Sequence, residues 1–112
     1  MGADSTLVFY GVRYTISQDE IELVEQKLDP RQITARDYGL ESWWCRCASE
    51  SVEGEYYLFI GANLGSVGYE GKFNMQFGRD ALASLVEVVG GRLENAGILQ
   101  VPSLYVQFCP DY

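Results

Sequence analysis

The segment from Ser5 to Ile16 constrains the fold most, because it is largely apolar on both of the faces that a strand presents. It is rich in β-branched and aromatic residues, which favour strands over helices. Side chains alternate between the two faces of a strand, so a strand that is apolar on both faces must be covered on both. The segment therefore predicts a central strand of a sheet.

Two short helices are predicted after this strand. The first begins at the capping-box pattern from Ser17 to Glu20 and continues with apolar residues at helical spacing to about Asp29. Pro30 directly follows, which predicts a second helix with Asp29 as its N-cap. Gly39 is expected to end that helix, because glycine readily adopts the left-handed conformation of a C-terminal cap.

A longer helix is predicted with Asp80 as its N-cap and Gly97 as its C-terminal cap. Its apolar side chains recur at helical spacing and form one stripe, which consists of Leu82, Leu85, Val86, Val89 and Leu93. Gly90 and Gly91 fall inside this helix, and each glycine costs about 1 kcal/mol relative to alanine. We therefore expect either a break at this point or a close backbone contact that leaves no room for side chains.

Four further segments have the patterns of strands. They are rich in aromatic and β-branched residues or alternate between apolar and polar ones, and they span residues 42–48, 55–64, 67–77 and 103–108. The polar residues 49–54 predict a hairpin between the first two. The segment 67–77 alternates most regularly, which predicts a strand with one face in water.

These elements predict a single α+β domain over residues 1–112. A mainly antiparallel sheet of four to five strands would carry two main helices on one face, where their apolar stripes are buried. The order of the elements contains the split β-α-β arrangement of ferredoxin-like folds, with one additional strand at 67–77. We therefore expect a ferredoxin-like topology.

Charge and the absence of histidine exclude several classes of function. Sixteen Asp and Glu residues against eight Lys and Arg give a net charge of -8, which opposes direct binding to nucleic acid or to anionic membranes. Without His the chain cannot form a Ser-His-Asp or Cys-His catalytic site. Neither a membrane span nor a signal peptide is recognisable. We expect a cytoplasmic protein that is not an enzyme and requires no cofactor.

Three cysteines, Cys45, Cys47 and Cys109, form an odd number, which favours reduced thiols over a framework of disulfides. Cys45 and Cys47 share one face of a predicted strand, and Cys109 joins them if the final strand lies nearby. Three thiolates would suit a soft metal or redox chemistry. Core packing is the simpler interpretation, because free cysteine behaves as a small apolar residue, and we expect no metal.

Aromatic residues point to protein contacts. They make up 13% of the chain, and if the helices cover one face of the sheet, the other face still carries aromatic side chains. Exposed patches rich in Trp and Tyr usually mark interfaces. The predicted interface residues are Trp44, Tyr57, Phe59 and Tyr105.

The sequence thus favours a small acidic interaction module that pairs with itself, as a homodimer, through a face or an edge of its sheet. Its charge also suits an inhibitor or regulator of a basic partner protein. Two different functions stay open. One is a small-molecule-binding domain with an aromatic-lined pocket between sheet and long helix, in which Arg13, Arg46 or Arg79 orients an anion. The second is a small enzyme that uses a thiol or a carboxylate.

Overall fold

The computed structural model describes residues 5–46, 56–68 and 72–109. Four strands in these residues form one antiparallel sheet in the order β2-β3-β1-β4. The predicted α+β class and the antiparallel character of the sheet are therefore confirmed. The elements, in chain order, are β1 Ser5–Ile16, α1 Ile21–Glu25, α2 Pro30–Asp37, β2 Glu41–Arg46, β3 Tyr56–Gly68, α3 Arg79–Asn95 and β4 Ser103–Cys109.

The additional strand expected at 67–77 is wrong. β3 ends at Gly68, and residues 74–78 have no regular secondary structure. Phe73 and Phe77, which the alternation placed on a sheltered face, are exposed. Alternation describes only the segment itself, whereas a strand also needs a neighbour with free backbone groups. The central strand β1 already pairs with β3 on one side and β4 on the other.

The helices pack on one face of the sheet and form the larger hydrophobic core with it. Alternate residues of β1 and β3 point to this face, and α3 packs against both strands. Two apolar side chains of α3, Val89 and Leu93, are buried there. The buried residues of this core are Tyr10, Val12, Ile16, Ile21, Val24, Ala35, Leu40, Tyr56, Leu58, Ile60, Val89 and Leu93.

The first two helices begin and end for local reasons. α1 starts only at Ile21, although the Glu20 carboxylate accepts a hydrogen bond from the backbone N–H of Ser17 at 2.9 Å, as a capping box requires. It stops at Glu25 rather than continuing to Asp29, because Lys27 has a left-handed φ of 61°. The predicted length of the first helix is therefore wrong.

The predicted cap of α2 is confirmed. The carboxylate of Asp29 accepts a hydrogen bond from the backbone N–H of Arg31 at 2.9 Å, and the side chain of Gln32 accepts one from the backbone N–H of Asp29 at 3.3 Å. After the helix, Gly39 has a φ of 73° and Leu40 donates its N–H to the carbonyl of Ala35 at 2.8 Å. This is the glycine-terminated end that the sequence predicts.

The third helix differs from expectation in two ways. It begins at Arg79 after Gly78 rather than after an Asp80 cap. It also runs without a break through Gly90 and Gly91, and a Cβ added at either glycine would meet nothing within 4 Å. The expected break or close contact is therefore wrong, because the burial of neighbouring apolar residues stabilises the helix more than two glycines weaken it. No helix in the described ranges is long and apolar enough to cross a membrane.

An ion-pair network holds the start of α2 against the end of β1. The guanidinium of Arg31 contacts carboxylate oxygens of Asp29 and Glu20, each at 2.9 Å, and lies 5.2 Å from the ring centroid of Tyr14. Hydrogen bonds from the Arg31 side chain are the main cause that lowers the pKa of Asp29. The pKa of Glu20 is also lowered, chiefly by the backbone N–H of Ser17.

Replacing Asp29 by asparagine should lower the free energy of unfolding by about 1 to 3 kcal/mol at neutral pH, because the amide loses the charge-assisted hydrogen bonds with Arg31. The pKa of Asp29 is lowered in the folded protein, so this stabilisation is present above the ordinary carboxyl pKa and disappears as the pH falls through the lowered value. Urea unfolding should show the two proteins converging below about pH 4. A difference that persists unchanged into acid would contradict the assignment.

Two glycines face each other in the middle of the long strands. Gly11 of β1 pairs with Gly61 of β3, and both have a φ of 153°. A Cβ built on Gly11 would collide with the carbonyl oxygen of Ile60 and lie 2.8 Å from the Cα of Gly61, and Gly61 meets the same obstruction from β1. Only glycine allows two strands to approach this closely, and such positions often mark a bend.

Candidate interaction surface

The second face of the sheet carries a smaller core of aromatic residues. Phe9 and Phe59 are fully buried, with ring centroids 5.3 Å apart. Tyr57 and Tyr105 contact Phe59 edge to face, at 6.3 and 5.6 Å between centroids. These four residues are termed the inner aromatic cluster. Tilted and edge-to-face contacts are the favourable geometry for rings, so this face is a packed core rather than an open surface.

Arg13 lies over the inner aromatic cluster. Its guanidinium carbon is 4.3 Å from the ring centroid of Tyr57 and 4.9 Å from that of Tyr105. Its Nη1 donates a hydrogen bond to the side-chain oxygen of Gln107 at 3.0 Å. Each contact with a ring is worth about 0.5 to 1 kcal/mol at an exposed site. Arg13 therefore ties β1 to β4 on the second face, away from the space between sheet and α3.

Two cysteines complete this core, although they lie on strands at opposite edges of the sheet. Cys45 on β2 and Cys109 on β4 belong to the same cluster of packed side chains, and the Cys45 side chain is the main cause that lowers the pKa of Cys109. The Cys109 thiol donates a hydrogen bond to the backbone carbonyl of Gln107 at 3.6 Å. Neighbouring strands are about 4.8 Å apart, so a flat sheet would hold its outer strands about 14 Å apart. The sheet therefore curls toward its second face. Cys47 lies outside the described residues.

The four predicted interface residues do not share one exposed surface. Trp44 lies on the helix-covered face, where its ring packs 5.9 Å from that of Tyr56. Phe59 is 0% exposed, and Tyr57 and Tyr105 are half-buried beside it. The curl of the sheet closes the second face over these rings, which the alternation of the strands alone does not reveal. Their part in an interface stays a prediction.

Exposed apolar surface lies instead on β4. Leu104, Val106 and Phe108 alternate along this strand and are 53%, 68% and 46% exposed. These three residues are termed the β4 stripe. They point to the same face as the helices, but α3 packs on β1 and β3 and leaves the outer strand uncovered. A row of large apolar side chains in water is a common mark of a protein contact.

The segment of chain that contains the β4 stripe has no charged residue. No charged residue occurs from Asn95 to Pro110, although 21% of the whole chain is charged. β4 is an edge strand that pairs with β1 alone among the described strands, and natural edge strands are usually protected by charged side chains. This uncharged run is the feature of the sequence that could have indicated the exposed apolar surface on β4. Whether a helix covers the strand depends on tertiary packing, which the pattern does not record.

A groove lies beside the β4 stripe, between the end of α3 and residues 98–102. It has a volume of about 350 Å³, and its lining includes Leu93, Ile98 and Val101 with Glu94 as its one charged residue. No aromatic ring occurs among the described residues that line it. This groove is therefore not the aromatic-lined pocket that a small-molecule-binding domain would need.

The structure also places the charged groups that would serve an anion-binding pocket or a carboxylate enzyme. Arg79 has a 95% exposed side chain 3.6 Å from Asp80, and Arg46 lies on β2. The carboxylates of Glu20 and Asp29 meet at Arg31, where they form the structural network at the start of α2. Within residues 5–46, 56–68 and 72–109, no three Cys, Asp or Glu side chains are grouped to hold a metal ion.

No family model, curated protein or solved structure matches this chain.

Proposed function

We propose that this protein is an interaction module that forms a homodimer by antiparallel pairing of β4 with the β4 of a second copy. The observation that supports this most strongly is the β4 stripe on an uncharged edge strand. An edge strand presents backbone N–H and C=O groups that a second strand can satisfy. Antiparallel pairing of two identical strands has two-fold symmetry, which is the commonest symmetry of homo-oligomers.

Charge favours this edge for the contact between copies. Each protomer carries a net charge of -8, so two copies repel each other in most orientations. Like charges placed opposite each other across a strand pair are destabilising. The uncharged residues 95–110 allow two copies to meet without such pairs, and the pairing places the two β4 stripes side by side.

Replacing Val106 by lysine tests the dimer. In the proposed pairing, two lysines and their charges are brought into the apolar contact, so we expect the variant to be monomeric. Light scattering at tens of micromolar should give twice the protomer mass for the wild type and the protomer mass for the variant. Val106 is 68% exposed in the protomer, so the variant should retain its fold, as checked by circular dichroism.

Val88→Lys is the matched control. Val88 lies on α3 and is 48% exposed, so the same substitution adds the same charge outside β4 and should leave the dimer intact. Amide hydrogen exchange of residues 103–109 in the wild type should slow as the protein concentration rises, because the edge becomes paired. A monomeric wild type, or a control that dissociates as readily as Val106→Lys, would contradict the proposal.

Two finer proposals accompany the dimer. The ferredoxin-like topology is supported by the order β2-β3-β1-β4, in which β3 lies between the two strands that α1 and α2 connect. Regulation of a basic partner is supported by the net charge of -8, and the described acidic side chains occur on several elements, including Glu22, Asp37 and Glu87. A third proposal, a non-enzymatic role, is supported by the missing imidazole.

A further inference from the structure

We infer that Cys45 and Cys109 form a redox site, in which hydrogen peroxide converts the two thiols into a disulfide that joins the edge strands β2 and β4. This site is independent of the β4 pairing proposed above, since both sulfurs belong to the core on the second face. Core packing explains two apolar side chains there. It does not explain why two thiols from opposite edges of the sheet share one small core, in which the Cys45 side chain lowers the pKa of Cys109.

The packing of the second face places both cysteines in one core. Cys45 is 7% exposed and packs with Leu7, Phe9 and Phe59, while Cys109 lies at the border of the same core and is partly exposed. A disulfide requires the Cβ atoms of its two cysteines to lie about 3.5 to 4.5 Å apart, and the packing of both side chains in one small core favours that approach. In a flat sheet, cysteines on opposite edge strands would be too far apart to form a disulfide. The curl of the sheet brings these two cysteines into the same core.

Reactivity divides the two cysteines into distinct roles. The pKa of Cys109 is lowered, mainly by a hydrogen bond from the Cys45 thiol, with a further hydrogen bond from the backbone of Leu7, while burial opposes the shift. The thiolate is the form of cysteine that reacts with oxidants, and it must also be reachable. The lowered pKa favours the thiolate of Cys109 over that of an ordinary cysteine, and the partial exposure of Cys109 lets an oxidant reach it. The more buried Cys45 is the thiol that completes the disulfide.

The reaction balances with one molecule of hydrogen peroxide. The Cys109 thiolate attacks a peroxide oxygen, the O–O bond breaks, and sulfenic acid forms on Cys109 as hydroxide leaves. The sulfur of Cys45 then attacks the sulfur of Cys109 and displaces the hydroxyl group, which leaves as water with the proton from Cys45. Two thiols and one peroxide thus yield one disulfide and two waters, with one electron lost from each sulfur.

The disulfide would stabilise the fold, because it closes a long loop of chain between β2 and β4. Cross-links of this kind reduce the freedom of the unfolded chain, and the effect grows with loop length. We expect oxidation to raise the melting temperature of the protein by on the order of 10 °C. Reduction with dithiothreitol should return the melting temperature to its original value.

The test treats the full chain, at low concentration, with an equimolar amount of hydrogen peroxide. Intact-mass measurement should show the loss of two hydrogen atoms, and peptide mapping without reduction should identify a link between Cys45 and Cys109 within one chain. The variants Cys109→Ser and Cys45→Ala should fail to form it, and the control Cys47→Ser should form it as the wild type does. The wild-type peptide map decides the question even if the Cys45 variant does not fold.

Three results would overturn the inference. They are a disulfide that involves Cys47, a disulfide between two chains, and oxidation of the thiols to acids without any disulfide. A dimer that is lost in Val106→Lys while the disulfide still forms would show that this site does not depend on the proposed interface. A raised melting temperature in Cys47→Ser after oxidation, and none in Cys109→Ser, supports the assignment.

Discussion

Alanine at Gly11 should destabilise the protein by roughly 3 kcal/mol or more, as measured by urea unfolding, because strained backbone and a buried collision add together. The new Cβ would meet the carbonyl of Ile60 and the Cα of Gly61, which belong to the backbone of the paired strand. A flexible side chain could move aside, but a paired backbone cannot move without breaking hydrogen bonds between β1 and β3.

The reciprocal contact gives this prediction two further parts. Gly61→Ala should cost about as much, because it meets the carbonyl of Tyr10 in the same way. The double variant should cost less than the sum of the single variants, since strands separated by one methyl group already accommodate part of the second. A single variant within about 1 kcal/mol of the wild type would show that the strands are not held this closely.

Gly91→Ala is the control for these substitutions. Gly91 is exposed in α3 and has nothing within 4 Å of a built Cβ. Alanine there should raise the free energy of unfolding by about 0.5 to 1 kcal/mol, because it restricts the unfolded chain and favours helix. The same change of residue should thus have opposite signs at positions 11 and 91.

Phe59→Ala should cost about 3 to 5 kcal/mol, which is the usual cost of truncating a fully buried phenylalanine. Phe59 is 0% exposed and contacts the rings of Phe9, Tyr57 and Tyr105. The substitution would leave a cavity at the centre of the inner aromatic cluster. Chemical unfolding at a concentration that keeps the protein monomeric measures this loss separately from any change in association.

Phe73→Ala is the matched control, because Phe73 is 80% exposed. The same truncation there should change the free energy of unfolding by about 0.5 kcal/mol or less. If Phe59 served an exposed contact instead, its variant would resemble this control in the monomer and differ only in association. That result would restore Phe59 to the interface that the sequence predicts.

Local patterns predicted what short stretches of chain control by themselves. Asp29 and Gln32 form the expected capping box, and Gly39 and Gly97 end their helices with positive φ values. Leu85, Val89 and Leu93 of the predicted stripe pack against the sheet, whereas Val86 is exposed. The physical cause of each helix cap acts within one helical turn, so the sequence was sufficient for the caps.

The errors have a common origin in contacts between distant residues. Residues 67–77 alternate like a strand, but residues 74–78 pair with none of the four strands. Cys45 and Cys109 meet only because a whole sheet curls. The β4 stripe has the pattern of a buried face, and it is exposed because α3 lies over other strands. None of these facts is contained in the segment whose pattern was interpreted.

The two cores of this protein are built on the same pair of strands. β1 directs Val12 and Ile16 toward the helices and Leu7 and Phe9 toward the inner aromatic cluster, and β3 divides its side chains in the same way. If the side chains of one core lost their packing, the strands β1 and β3 that carry the other core would be destabilised as well. The helices and the curled sheet are therefore thermodynamically inseparable, and heat should unfold the protomer in one cooperative step.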